Sequence, residues 1–172
     1  MKIDTDRLSM IQITAEYWDL FQSLNRDPRV IRFCFDEPSS DEIKASFESR
    51  LPVWNKTSKH WLCLIITQNE TGEKIGVTGF RIHDGSAEVG FLIQPKYHGL
   101  GYGTESLKAL LKWAYQEHGL QSFNAVVTEG NTGSEKVLIK CGFTLKDVTP
   151  NAYEIGGKLY ADHVYQCEKI VL

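Results

Sequence analysis

Three glycines at alternate positions mark the point where an extended pattern gives way to a long helical one, in the run His98-Gly-Leu-Gly-Tyr-Gly-Thr-Glu105. Glycine lets a backbone approach a ligand closely. The first N–H groups of a helix have no partner within it and lie at the positive end of its dipole, so such a loop is a ready anion site. A phosphate is its natural guest. The spacing excludes two common nucleotide fingerprints, because position 104 is Thr where G-x-G-x-x-G needs Gly and no Gly-Lys-Ser/Thr follows. The same glycines would also suit a plain turn, so placement has to decide between the two.

The elements around the loop supply that placement. Ala87, Val89, Phe91 and Ile93 alternate with Ser86, Glu88, Gly90 and Leu92 as in a strand, and Leu107, Leu110, Leu111 and Ala114 line one face of a helix that stops at Gly119. Phe123, Ala125 and Val127 predict the next strand, so 86–128 reads as a βαβ unit. Upstream, Trp61 to Thr67 and Lys74 to Ile82 are two further strands, joined by the turn signals Asn69-Glu-Thr-Gly72 and His83-Asp-Gly-Ser86 as antiparallel hairpins. One short strand over 7–13 and a helix carrying Tyr17, Leu20, Phe21 and Leu24 precede them. Ser39-Ser-Asp-Glu42 has capping-box spacing and opens a second helix over about 40–55, with Ile43, Phe47, Leu51 and Trp54 as its stripe. A short helix from Ser134 to Cys141 and strands over 143–148 and 160–171 close the chain. The expected fold class is α/β: one domain over 1–172, with a mixed, mostly antiparallel sheet around a central βαβ unit and helices on both faces.

Composition narrows the partners. With 42% hydrophobic and 24% charged residues in 172, the chain has the mixture of a globular domain. Nineteen Lys and Arg against twenty-two Asp and Glu leave a charge of −3, which speaks against nucleic acid and anionic lipid. The longest apolar run, Trp61 to Ile66, is far short of the roughly 20 residues that span a bilayer. The start, Met1-Lys-Ile-Asp-Thr-Asp, holds no apolar signal core, and a cytoplasmic location is expected. Cys34, Cys63, Cys141 and Cys167 form no CxxC pair and read as four buried thiols. His60, His83, His118 and His163 show no ligand spacing, so no metal is expected. Trp18, Trp54, Trp61 and Trp113 read as core.

Four blocks of the chain, taken in order, resemble the GNAT N-acetyltransferases, and within them the RimJ/RimL type. They are Thr5-Asp-Arg-Leu8, Ala87-Glu-Val-Gly-Phe91, Gly99-Leu-Gly-Tyr-Gly-Thr-Glu105, and Asn131-Thr-Gly-Ser134 followed by Cys141-Gly-Phe143. The resemblance implies the GNAT fold and transfer of an acetyl group from acetyl-CoA to an amine by direct attack on the thioester. It implies pantetheine along Phe91, Leu92 and Ile93, with Asn131 hydrogen-bonding it, and pyrophosphate on His98, Gly99, Leu100, Gly101, Tyr102, Gly103 and Thr104. Two positions depart from the family. His98 stands where members carry Gln or Arg, and Leu138 fills the place at which many carry a proton-donating Tyr.

With that Tyr absent, the resemblance leaves Ser134 beside the sulfur, where its hydroxyl would support the departing thiolate; a helix-capping role is the alternative. Glu88, on the opposite strand face from Ala87, Val89 and Phe91, is the candidate base, acting directly or through water, against a plain polar role on a sheet face. Glu105 in the first turn of the helix suits the dipole and reads as structural. The acceptor implied is a primary amine, with a protein or peptide N-terminus preferred. A polyamine or aminoglycoside stays open, as do a non-catalytic acyl-CoA-binding module and a nucleotide-binding regulator. The protein is expected as a monomer or homodimer.

Overall fold

The computed structural model describes residues 1–168. Eight strands form one sheet in the order β1-β2-β3-β4-β5-β6-β8-β7. They are β1 (Lys2–Asp4), β2 (Leu8–Gln12), β3 (Leu62–Gln68), β4 (Lys74–His83), β5 (Ser86–Ile93), β6 (Phe123–Thr128), β7 (Thr144–Ile155) and β8 (Lys158–Cys167). Five helices cover it: α1 (Trp18–Arg26), α2 (Pro28–Ile31), α3 (Ser40–Glu48), α4 (Tyr102–His118) and α5 (Thr132–Lys140). Every pairing is antiparallel except β5 with β6, the two strands that α4 connects. That parallel pair meets at two positions only, Ala87 opposite Phe123 and Glu88 opposite Asn124.

The two-residue period of the strands sorts side chains into two cores. Leu62, Leu64 and Ile66 of β3 and Ala87, Val89 and Ile93 of β5 pack with Leu107, Leu110, Leu111 and Ala114 of α4 and Leu138 of α5. Cys63, Ile65 and Val77 face the other way, against Phe21 and Leu24 of α1 and Ile43 and Phe47 of α3. Helices thus cover both faces, as the mixed pattern predicts.

Differences from the expected elements have local causes. The capping box of α3 is formed, with Ser39 Oγ accepting from the Glu42 N–H at 3.2 Å and Glu42 accepting from the Ser39 N–H at 2.8 Å. The helix ends at Glu48, seven residues before the expected 55. Pro52 disfavours helical geometry at Leu51 and cannot continue the ladder. Trp54 therefore leaves the α3 stripe for the other core, where its ring meets Phe80 edge-on at 5.3 Å. The single strand expected over 7–13 is a hairpin of β1 and β2, closed where the Thr5 N–H reaches the Leu8 carbonyl at 2.8 Å. β7 runs seven residues past the expected 148, as an outer strand whose register breaks between Thr149 and Tyr153, around Pro150 and Asn151. β8 lies at 158–167; the last part of the expected 160–171 strand falls at 169–171, outside the described residues. Cys63, Cys141 and Cys167 are buried, whereas Cys34 is only half-buried. Trp61 is half-buried too, and it lines a cavity instead of joining a core.

Candidate active site

The glycine loop follows β5 directly. A single 3-10 turn at Pro95–Tyr97 reverses the chain, and Gly99 and Gly101 then take φ of +75° and +83°, the left-handed region where a Cβ is strained. Gly101 caps α4, whose first internal bond runs from the Glu105 N–H to the Gly101 carbonyl at 3.0 Å. The N–H groups of Gly101, Tyr102, Gly103 and Thr104 are left for an outside acceptor. Gly103 is buried for a different reason: a Cβ there would lie 3.3 Å from Val137 of α5 and 3.5 Å from Ile93, so its absence lets α4 sit close to both.

The loop is held from below by the N-terminal hairpin. Arg7 donates from Nε and Nη2 to Glu105 Oε2, both at 2.6 Å, while its backbone N–H and the Thr5 hydroxyl reach Oε1 at 3.1 and 2.7 Å. The remaining nitrogen, Nη1, donates to the Leu100 carbonyl at 3.1 Å, and the guanidinium lies 4.5 Å from the centre of the Tyr102 ring. Burial alone would push the Glu105 carboxyl up, but the hydrogen bonds from Thr5 and Arg7 outweigh it and hold the group below its ordinary 4.5. Thr5 and Arg7 therefore act on the loop at a distance of about a hundred residues in sequence, and Glu105 serves as their anchor.

His98 is positioned by a bond to the backbone. Its Nε2 donates to the Ile93 carbonyl at 2.6 Å, tying the loop entrance back to the end of β5. One ring donor is thereby committed to the backbone, and the His98 N–H is spent on the Pro95 carbonyl at 3.1 Å. Ile93 likewise turns its side chain into the core under α4, while Phe91 and Leu92 border a cleft.

That cleft, of about 310 Å³, opens where β5 and β6 part. The Ala87 N–H donates to the Ser122 carbonyl at 2.9 Å, so by alternation the N–H groups of residues 89, 91 and 93 point the same way. Since β6 has diverged beyond Asn124, the Phe91 N–H faces the gap in place of a strand. α5 starts on the far side of the gap. Asn131 caps it, accepting from the Ser134 N–H at 3.3 Å, and its amide reaches the Cys34 sulfur at 3.9 Å. Ser134 is half-buried on the cleft wall, and no described residue accepts from its hydroxyl. Leu138, one turn on, closes the wall with an apolar side chain.

Glu88 borders the same cavity from the opposite sheet face. Its carboxylate pairs across β4–β5 with Arg81 at 3.2 Å, and the Arg81 guanidinium lies 5.6 Å from the centre of the Trp61 ring. The cavity floor there is low because Gly79 and Gly90 stand opposite one another, with Trp61 about 3.5 Å from where a Gly90 Cβ would be. Ser134, Glu88, Asn131, Phe91 and Leu92 thus share one cavity; Ile93 and the glycine loop lie beyond the lining.

Several residues of that cavity escaped the sequence reading. Asp27 accepts from the Arg29 N–H at 2.9 Å to cap α2, with Pro28 at the first helical position, a start signal that was available in the sequence. The turn after α2 brings Phe33 and Phe35 to the cavity, and the turn after α3 brings Arg50. Their spacing carries no motif, because each is placed by the packing of a short helix.

A sheet opened at a parallel pair, with a glycine-rich helix start following the same strand, is an arrangement suited to an extended phosphate-bearing ligand. A match over residues 7–144 to the acetyltransferase (GNAT) domain assigns it: the chain belongs to the GNAT acetyltransferases and is an N-acetyltransferase. It is 26% identical over 171 residues to the uncharacterized N-acetyltransferase YoaA of Bacillus subtilis, covering 97% of this chain and 96% of that one. Among solved structures it resembles RimL, a ribosomal L7/L12 alpha-N-protein acetyltransferase in complex with coenzyme A, at TM-score 0.84 and 17% identity, covering 99% and 98% of the two chains. It also resembles the spermidine N-acetyltransferase of Vibrio cholerae, in complex with coenzyme A and spermine, at TM-score 0.80 and 16% identity, covering 94% and 95%. The family implies acetyl-CoA as donor, and the free N–H groups at the start of α4 suit its pyrophosphate. No helix among the described residues is long and apolar enough to cross a membrane.

Proposed function

We propose that the protein transfers an acetyl group from acetyl-CoA to the α-amine of a peptide or protein N-terminus, with Ser134 and Glu88 as its catalytic residues. The observation that carries this reading is the Phe91 N–H, turned into the gap of the cavity that Ser134 also lines, on the strand that leads into the glycine loop. Acetyl-CoA supplies an activated thioester. The Gly101 to Thr104 N–H groups hold its phosphates, and the open edge of β5 at Phe91, Leu92 and Ile93 takes the pantetheine arm, with Asn131 opposite. His98 shapes the loop from its bond to Ile93.

The Phe91 N–H then donates to the carbonyl oxygen as that oxygen gains charge, the role of an oxyanion hole. The Ser134 hydroxyl donates to the departing sulfur. Glu88, directly or through one water, takes the proton that the amine must lose before it can attack. Protonation favours an α-amine: with a pKa of about 7.7 to 8.0, roughly a tenth of such amines are neutral at pH 7, against some 0.04% of lysines at about 10.4. A single weakly placed carboxylate suffices for the first.

The test is a coenzyme A release assay over a panel of peptides, spermidine and an aminoglycoside, with mass spectrometry of the products. Acetyl on the N-terminal nitrogen of a peptide is the expected result. Turnover of spermidine or the aminoglycoside, with none for any peptide, would overturn the choice of acceptor. Binding of coenzyme A without turnover of any amine would overturn catalysis.

A further inference from the structure

One charged group in the cavity has no counterpart. Arg50 follows α3 and lines the cavity together with Phe21, Phe33, Phe35 and Trp61. Its Nη1 donates to the Ser46 carbonyl at 2.6 Å and to the Ser46 hydroxyl, and its guanidinium sits 5.3 Å from the centre of the Phe21 ring. These contacts fix the plane of the fork while using one of its three nitrogens. Among the described residues, none accepts from Nε or Nη2 and no carboxylate forms an ion pair with this arginine. The one carboxylate among the described residues of the lining, Glu88, is paired with Arg81. Arg50 and Arg81 lie close enough to sense each other, and burial draws the Arg50 guanidinium below its ordinary value.

A partly desolvated guanidinium with two nitrogens open to the cavity suits an anion, and planar two-point recognition of a carboxylate is what its fork provides. The phosphates of the donor do not supply it, because the loop that suits them belongs to α4, on the other face of the sheet. The anion has to arrive with the acceptor. We propose that Arg50 is a specificity residue that binds a carboxylate of the acceptor, so that the substrate class is an amine bearing a nearby carboxylate and a polyamine is repelled. This inference rests on the acetyl-transfer reading above and narrows it. The carboxylate has two sources, an acidic side chain near a peptide N-terminus or the carboxyl group of a free amino acid.

Matched acceptors separate them. One arm uses peptides amidated at the C-terminus that differ only in aspartate or asparagine at the second position; the other uses single amino acids and their amides; spermidine is the cationic control. The wild type is expected to favour the carboxylate member by about 10- to 100-fold in kcat/KM in one arm, which names the source. Arg50→Gln should erase that preference by raising KM for the carboxylate member, leaving the carboxamide member and the KM for acetyl-CoA unchanged. Arg50→Lys, which keeps the charge at the end of α3, should recover part of it.

Equal turnover of acid and amide in both arms by the wild type would overturn the proposal without any variant having to fold. So would spermidine outpacing every carboxylate acceptor, or an Arg50→Gln loss spread evenly over acid and amide members. Absence of turnover with every amine overturns the acetyl-transfer reading beneath it, and the carboxylate clamp with it.

Discussion

The two halves of the cleft are built on different terms. The half we assign to the donor is one continuous stretch, strand to turn to helix from β5 through α4, stiffened by a hairpin whose Arg7 and Thr5 lock onto Glu105. The half we assign to the acceptor gathers α1, two tight turns after α2 and α3, and Trp61 just before β3, so its side chains arrive from several separate segments. A phosphate-bearing ligand common to a whole family can be met by backbone groups, which any side-chain change leaves in place. An acceptor that differs between relatives is met by side chains on short elements, which can change without disturbing either core. Donor-side substitutions should therefore act on coenzyme binding and acceptor-side ones on turnover or acceptor choice, and the comparison fails if those effects cross over.

The largest effect on coenzyme binding is expected at Gly101. A β-branched residue cannot hold φ of +83°, and its Cβ would stand 3.4 Å from Arg7 Nη2, so Gly101→Val should weaken coenzyme A binding by on the order of 100-fold in calorimetry. In the wild type, coenzyme A at about 100 times its Kd adds roughly 2.7 kcal/mol, a rise in Tm of about 5–10 °C at this size. The variant should lose that rise.

Next comes Ser134→Ala, expected to lower kcat by on the order of 10- to 1000-fold while keeping the coenzyme-dependent rise in Tm. Wild-type kcat in this variant would remove Ser134 from the chemistry and leave it as part of the α5 start. Glu88→Gln should cost less, on the order of 10-fold near pH 7, with a deficit that shrinks above about pH 8 as the α-amine loses its own proton. A deficit constant with pH would make Glu88 a positioning group acting through Arg81.

The smallest effect tests the donor half through its support. Glu105 titrates below its ordinary 4.5 because Thr5 and Arg7 bond the ionised form. A depressed carboxylate contributes stability that is complete above about pH 4.5 and disappears as pH falls through the lower folded value. Glu105→Gln should therefore lower Tm at pH 7 by an amount worth roughly 1 kcal/mol, since Arg7 is half-exposed and screened by solvent. The gap between variant and wild type should close in acid. A difference that persists unchanged at pH 3 would mean that packing, and not charge, holds the loop.

The same contrast explains what could be read from residue order. The glycine loop, the alternation across 86–93 and the stripe of α4 are each local, and their type, order and place in a βαβ unit follow from period and turn chemistry. The capping box of α3 was legible for the same reason, but its end was not, because Leu51 and Trp54 keep helical spacing after the chain has turned away at Pro52. Thr5 and Arg7 could be matched to a motif, yet their bonds to Glu105 span about a hundred residues and exist only once β1 and β2 lie beneath α4. Arg50, Phe33 and Phe35 gave no signal at all. Their meaning comes from which wall they face, and nothing in their neighbours' types encodes that.

The parting of β5 and β6 gives this sheet an edge in its own interior. The amides of an outer strand are open to any passing chain, but those at Phe91 sit between two strands still joined at Glu88 and Asn124 and walled by α5. A ligand can satisfy them only from within the cavity, whereas an outer strand can be extended by any chain that pairs along it. In the uncomplexed protein the Phe91 amide should exchange its hydrogen far faster than those of β3 and β4 beside it, an opening at the centre of the most ordered layer of the molecule.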